Sequence, residues 1–271
     1  MTEAAYRSVD GLAVAFDAGV LRVTLDRPDK RNAISDVMVT GLIDALTVAS
    51  TDDGLRVIVL EGAGDNFCGG ADIVARNRDR DTRPRAGSIQ RRLPTQAHRL
   101  VPMLLEVQVP VVCKVRGWAA GIGFSLALAA DFTIASYDAR FWEPFAERGF
   151  TPDSGATWLL PRRVGVLRAR ELLLLGRQLS DKEALEWGAI HDAVSGTQID
   201  AAVDRLVTQL ASGPTVTLGL AKWLLHAGSE LTLDQHLQNE AFALELSSRS
   251  EDFREGMAAF RERRPPNFGG K

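Results

Sequence analysis

Three stretches of this chain combine residue types and spacings that could do chemistry. NFCGGADI, Asn66 to Ile73, follows a β-branched run and sets two glycines ahead of a small residue. Glycines there let a backbone approach a ligand closely, where a side chain would block it, although a tight strand-to-helix turn would use them too. GWAAGIGFSLALAAD, Gly117 to Asp131, reads as a strand end, a glycine-punctuated loop and an apolar helix. That order leaves free amides and the positive end of a helix dipole facing one spot, which suits a developing oxyanion. RGFTPDSGATWLLPRR, Arg148 to Arg163, sets Asp153 between a proline and a serine at the mouth of an apolar helix. Asp153 is either a helix N-cap or an acid–base group.

Other motifs in the same stretches are weaker. GAGDNF, Gly62 to Phe67, begins like a dinucleotide fingerprint but lacks the third glycine. Gly-Phe-Ser-Leu-Ala around Ser125 is one residue short of a nucleophile elbow, with His191, His226 and His236 downstream as partners for a serine hydrolase. An elbow needs its serine directly after the strand, whereas Ser125 falls several residues later, inside the helix.

The elements that must position these groups alternate. Val20 to Leu25 and Arg56 to Leu60 read as strands, with helical spacing from Ser35 to Ser50 between them. Strands at Val109 to Val115 and Phe132 to Ser136 flank a helix from Gly123 to Ala130. Strand–helix alternation points to an α/β fold with largely parallel strands. Beyond about Ser180 the pattern turns helical. Ser180 with Glu183 and Thr232 with Gln235 form capping-box pairs, and Phe253 to Arg263 is amphipathic up to Pro265. Arg76 to Arg92 carries seven arginines and reads as a solvated loop or as a flap near an anionic ligand.

Composition narrows the function classes. At 271 residues and a formal charge of −3, no general electrostatic pull toward nucleic acid or an anionic membrane is expected. Cys68 and Cys113 lie in apolar surroundings at a spacing that fits no zinc site, so neither metal nor disulfide is expected. The first residues hold no signal-peptide pattern, and the most apolar stretch is broken by Lys114, Arg116 and Asp131, so a cytoplasmic location is expected.

Taken together, the motifs resemble the crotonase superfamily, the enoyl-CoA hydratase/isomerase fold. LDRPDKRNAI (Leu25 to Ile34), NFCGGADI, the GWAAGIG loop, PDSGATWLLPRRVG and the closing FREGMAAFRERRPPNFGGK fall in that family's order and spacing over nearly the whole chain. The resemblance implies an α/β, crotonase-like spiral of ββα units over residues 1–200, with a helical trimerisation region over 201–271. It implies an acyl-CoA thioester as substrate, no metal or redox cofactor, and a homotrimer or dimer of trimers. By resemblance the amides of Ala71 and Ile122 hold the thioester oxygen. Gly70, Asp72, Ile73, Gly123, Ser125 and Phe145 line the acyl and CoA channel, and Lys30, Arg31 and Ala33 lie along the nucleotide.

One departure from the family decides the expected reaction. Its hydratases use two glutamates, which would fall at Ser125 and Phe145, and neither residue here can move a proton as a glutamate does. Family members that shift double bonds or isomerise rings often place an aspartate directly after the proline, as at Asp153. The chain is similar to the ring-1,2-epoxyphenylacetyl-CoA isomerase type, which also shares the segment Leu175 to Ile190. The expected function is therefore an isomerase with Asp153 as its proton carrier, still able to cap the helix. Packing against Phe150 and Trp158 is expected to desolvate Asp153. A thioester or ring-cleaving hydrolase, an atypical hydratase and an impaired acyl-CoA-binding homologue are the alternatives. Glu143 and Glu147, each offset by two positions from Phe145, are expected at the surface or in ion pairs, with a helper role in the chemistry as the alternative, and His98 and Trp142 in structural roles.

Overall fold

A computed structural model describes residues 6–73, 85–229 and 231–271. β1 (Leu12–Asp17) and β2 (Val20–Leu25) pair antiparallel across Ala18 and Gly19, both at positive φ. Two left-handed residues give the turn the twist of the strands it joins. α1 (Asp36–Ala49), capped by Ser35, leads to β3 (Val57–Gly62). α2 (Ser88–Arg92) and α3 (Leu100–Glu106) precede β4 (Val111–Val115), β5 (Trp118–Ala120) and α4 (Ile122–Ala129). β6 (Phe132–Ser136), β7 (Arg140–Trp142), α5 (Ala156–Val164) and α6 (Val166–Leu174) follow. Then come β8 (Leu179–Ser180), α7 (Asp181–Glu186) and β9 (Asp192–Val194). The chain closes with α8 (Ile199–Ala211), α9 (Thr215–Ala227), α10 (Leu233–Ser247) and α11 (Glu251–Glu262).

The large sheet runs β1-β2-β3-β4-β6-β9 and is parallel from β2 onward. Both its faces are buried, which is why β3 and β4 read as continuous apolar runs rather than alternating ones. Leu21, Ile58, Leu60 and Cys113 face the main core, while Val57, Val59, Val112 and Ile134 face Ile199, Val203 and Val207 of α8. The division expected after residue 200 thus falls inside a helix that packs on the sheet. The strand expected from Val109 starts at Val111. Pro110 has no N–H to give a ladder, and the Val109 carbonyl is taken by Lys222 Nζ at 3.1 Å.

A second sheet, β5-β7-β8, was not foreseen, because strands of two or three residues are too short to show alternation. It extends through single bridges, Cys68 to Ala119 and Ile34 to Ala71, both parallel. The repeating unit is therefore a strand of the large sheet, a short strand of the small one, then a helix, as in β4, β5 and α4. This is the expected crotonase-like α/β spiral, and a helical C-terminal region follows it. Both predicted capping boxes are present, at the starts of α7 and α10. Among the described residues no helix is long and apolar enough to cross a membrane.

One residue that sequence reasoning missed ties the layers together. Asn32 is fully buried at φ 55°, with Nδ2 donating to the Ala63 and Asn66 carbonyls at 2.9 and 2.6 Å. Its Oδ1 accepts from Arg27 N–H at 2.8 Å. Asn suits both demands, tolerating the left-handed conformation and satisfying three main-chain groups. Asn32→Ala is expected to lower unfolding free energy by about 2–3 kcal/mol. Urea denaturation checks this, and an unchanged midpoint would contradict it.

Candidate active site

The small sheet sets the site by register. Cys68 pairs with Ala119 and Ala120 pairs with Trp142, all in parallel, so the chain leaves the ribbon toward Ala71, Ile122 and Pro144 at the same end. Gly70 lies at φ 105°, where an added Cβ would sit 3.3 Å from the Ala120 carbonyl oxygen, and Gly121 lies at φ 52°. Each is a backbone state that glycine alone takes without strain, and each immediately precedes one of the two expected donors. The result is visible in the hydrogen bonds. Ile34 N–H donates to Gly70 and Asp72 N–H donates to Ile34, at 2.8 and 2.9 Å, but the Ala71 amide between them has no acceptor among the described residues. Ile122 opens α4, and its amide likewise has none. Two free N–H groups on adjacent segments can stabilise one oxygen as it gains negative charge.

Several expected pocket residues gather beside these donors. Ser125 lies on α4, fully buried, and its hydroxyl finds no hydrogen-bond partner among the described residues. Phe145 is buried and meets Phe150 edge-on at 5.4 Å. Gly123 packs against Cys68 with no room for a side chain between them. Ile73 is half-buried, and Asp72 is buried. Its carboxylate is held by Arg27 at 2.8 Å, so this side chain braces the loop. Arg27 also donates to the Ala33 carbonyl at 2.7 Å. The Arg31 carbonyl accepts from Gly69 N–H at 2.7 Å, which sets the exposed side chains of Lys30 and Arg31 beside the NFCGGADI loop.

Asp153 is not a cap. α5 begins at Ala156 with Gly155 as N-cap, and no side chain caps it. The Asp153 main-chain carbonyl accepts from Ala156 N–H, whereas among the described residues its carboxylate accepts only from the neighbouring Ser154 hydroxyl, at 2.9 Å. Asp153 is half-buried, and Ser154 after it sits at φ 54°, a strained state for a serine. Phe150 is spent on Phe145, and Trp158 lies under the Arg162 guanidinium, 3.9 Å away.

The strongly desolvated carboxyl is Glu143, which overturns the surface or ion-pair role expected for it. Its residue exposure is 0%, and among the described residues neither carboxyl oxygen has a hydrogen-bond partner. Burial first, and then the negative charge of Asp153, push its pKa well above the ordinary 4.5. Glu147 is exposed, as expected. Trp142 is structural, donating to the Gly176 carbonyl at 2.8 Å, while His98 has a buried Nε2 without a partner.

Comparison with known proteins agrees with this geometry. The sequence profile of the enoyl-CoA hydratase/isomerase family matches residues 15–271. The chain belongs to that family. It is 40% identical over 94% of its length to the 1,2-epoxyphenylacetyl-CoA isomerase of Escherichia coli, covering 97% of that protein. It is 30% identical to the trans-2-decenoyl-[acyl-carrier-protein] isomerase of Streptococcus mutans, covering 94% of this chain and 96% of that one. The crystal structure of the enoyl-CoA hydratase from Bacillus anthracis superposes with a TM-score of 0.89 at 29% identity, covering 96% of this chain and all 100% of that one. An enzyme of the enoyl-CoA hydratase/isomerase family has isomerase- or hydratase-type activity on CoA thioesters, so the serine-hydrolase reading falls away. The geometry agrees. Among the described residues no histidine bonds Ser125, His191 meets Phe132 edge-on and His236 pairs with Glu240.

In this family member a pair of cations fixes the helix that carries Ile122 and Ser125. Arg163 of α5 donates to the Leu128 carbonyl through Nε and Nη2 at 3.1 and 2.9 Å, and to Ala130 at 3.0 Å. These carbonyls belong to the C-terminal end of α4, so the helix after Asp153 is bolted to the helix after the donors. Lys222 of α9 pairs with Asp131 at 2.8 Å and donates to the Leu104 carbonyl at 2.8 Å. Among the described residues no three His, Cys, Asp or Glu side chains converge as a metal site does. Of the arginine-rich stretch, residues 76, 78, 80 and 83 lie outside the described residues, while Arg85, Arg91 and Arg92 are exposed.

The Glu143 carboxyl gives a pH signature in stability. In the unfolded chain it ionises near 4.5, while in the folded chain it keeps its proton to higher pH. Above 4.5 the folded state therefore binds more protons, and Glu143 costs stability as pH rises, up to about 1.4 kcal/mol per pH unit. Glu143→Gln removes this titration. Its urea midpoint is expected to rise relative to the original protein between roughly pH 5 and 8. A constant difference between the two proteins across that range would contradict the buried neutral acid.

Proposed function

We propose that the protein is an acyl-CoA thioester isomerase in which Ala71 and Ile122 amides polarise the thioester carbonyl and Asp153 carries the proton. The observation that supports this best is the Asp153 carboxylate. It is half-buried and caps nothing, and it stands after Pro152 on the segment leading into α5, which Arg163 ties to the donor helix. A base there can take a proton activated by the thioester, because the electron pair released moves onto an oxygen held by two preset donors. Asp153 then returns the proton to a different carbon, moving a double bond or rearranging a ring. Ser125 and Phe145 favour isomerisation over hydration, since neither can activate water as a carboxylate does. The identity to two isomerases supports the same choice.

Lys30 and Arg31 are assigned to the CoA phosphates, with the Ala33 segment along the nucleotide. Their exposed cations beside the donor loop supply charge where an anionic cofactor tail would leave the pocket. The mechanism invokes no metal or redox group. A trimer, or a pair of trimers, is proposed from the C-terminal helices. Leu225, Phe242, Leu244 and Phe260 are 66–80% exposed there, an apolar display that a second copy would cover.

Asp153→Asn is expected to lower turnover of enoyl-CoA or ring-type CoA thioesters by roughly a hundred- to ten-thousand-fold, with KM nearly unchanged. Steady-state assay with product analysis in oxygen-labelled water reads this out. Isomerisation takes up no label, whereas hydrolysis or hydration would. Undiminished turnover in the variant removes Asp153 from the mechanism.

A further inference from the structure

We propose that Glu143 works opposite Asp153 as the second carboxyl of the reaction, delivering a proton to the substrate carbon that Asp153 does not serve. This rests on the isomerase reading of the site.

Placement comes first. Ala120 pairs with Trp142, and Gly121 N–H donates to the Trp142 carbonyl at 2.9 Å. The next residue, Glu143, therefore stands beside the Gly121–Ile122 turn that presents one donor amide. Its surroundings come second. A carboxyl kept for structure is matched by a cation or by N–H groups, as Asp72 is by Arg27 and Asp252 is by the Gly269 and Gly270 amides. Glu143 is buried as deeply as any of these, with no donor on either oxygen among the described residues. Leaving polar atoms unpaired in a core is costly, and an aliphatic side chain would fill the same space at no such cost. Ser125, on the helix that begins at Ile122, repeats the pattern with a buried hydroxyl that has no partner. Electrostatics come third. Asp153 is the one charge whose influence on Glu143 is resolved, and it acts to keep the proton on. Burial and the Asp153 charge both keep the proton on Glu143, which is the state a general acid needs.

For a 3-enoyl thioester the step balances without a further reactant. The Asp153 carboxylate takes the proton from C2, and the C2–H electron pair moves into the thioester, giving a dienolate whose oxygen is held by the Ala71 and Ile122 amides. Electrons return through the dienolate, the C2–C3 double bond forms, and C4 takes the proton of Glu143. Asp153 is left as the acid and Glu143 as the carboxylate. Asp153 then gives its proton to solvent and Glu143 takes one from solvent, which restores both.

The test uses 3-hexenoyl-CoA deuterated at C2 and reads two quantities: release of C2 deuterium to solvent and formation of the 2-enoyl isomer. Asp153→Asn is expected to lose both. Glu143→Gln is expected to keep deuterium release within about threefold, while isomer formation falls roughly a hundredfold or more at nearly unchanged KM. Glu143→Asp should restore part of it. A folded Glu143→Gln enzyme that isomerises at the original rate overturns this inference and leaves the isomerase reading standing. Absence of deuterium release by the unaltered protein overturns both. Should the variants not fold, infrared spectra of the unaltered protein with carbon-13-labelled glutamate decide the matter. A protonated glutamic acid carbonyl band at neutral pH that shifts on adding butyryl-CoA supports the inference, and a band that is absent or unmoved by butyryl-CoA overturns it.

Discussion

The site depends on one constraint of the backbone: two short parallel segments held in register, each broken by a glycine that turns the next amide away from its ladder. Cys68 to Gly70 runs beside Trp118 to Ala120, and the positive φ of Gly70 and Gly121 frees the N–H groups of Ala71 and Ile122 together. A side chain at either glycine would restore ordinary backbone geometry and point one donor elsewhere. In the proposed mechanism these donors, being main-chain groups, are fixed before any substrate arrives and need no reorganisation as charge develops. The large sheet, buried on both faces, is what makes so small a ribbon rigid.

Around the ribbon, polar groups that look misplaced in a core have specific mechanical duties. Asn32 joins the Arg27 to Ile34 loop to the turn after β3, so the loop bearing Lys30 and Arg31 cannot drift from Ala71. Arg163 satisfies carbonyls at the end of α4 and fixes it relative to α5, while Lys222 ties α9 to the Leu104 and Val109 carbonyls and to Asp131. Burial lowers the pKa of both cations, and the nearby Asp131 works against that shift. Among the described buried acids, Glu143 alone lacks such a compensation. That contrast is what separates it from the structural acids.

Much of this was legible in the sequence wherever local chemistry demands a particular residue. NFCGGADI and GWAAGIG announce the donor turns because only glycine serves there, and Ser180 with Glu183 announces a helix start because its bonds are local. Asp153 was harder, since Asp is a good cap in general. The structure decides against a cap because Ser154 and Gly155 both take positive φ and delay the helix to Ala156. Glu143 was misread because acids are surface residues by default. What buries it is pairing of Phe141 with Ala119 and Leu179, contacts distant in sequence and made by strands too short for a pattern. The one local hint was its setting, an acid inside the aromatic run Phe141-Trp142-Glu143-Pro144-Phe145.

The most direct measurement is a crystal structure with a non-reactive acyl-CoA bound. The account places the thioester oxygen within hydrogen-bond distance, about 3 Å, of both the Ala71 and Ile122 nitrogens, with the Asp153 carboxylate facing the carbon next to the carbonyl. A thioester oxygen bonded to neither amide, or an Asp153 carboxylate turned away from the acyl chain, would contradict it.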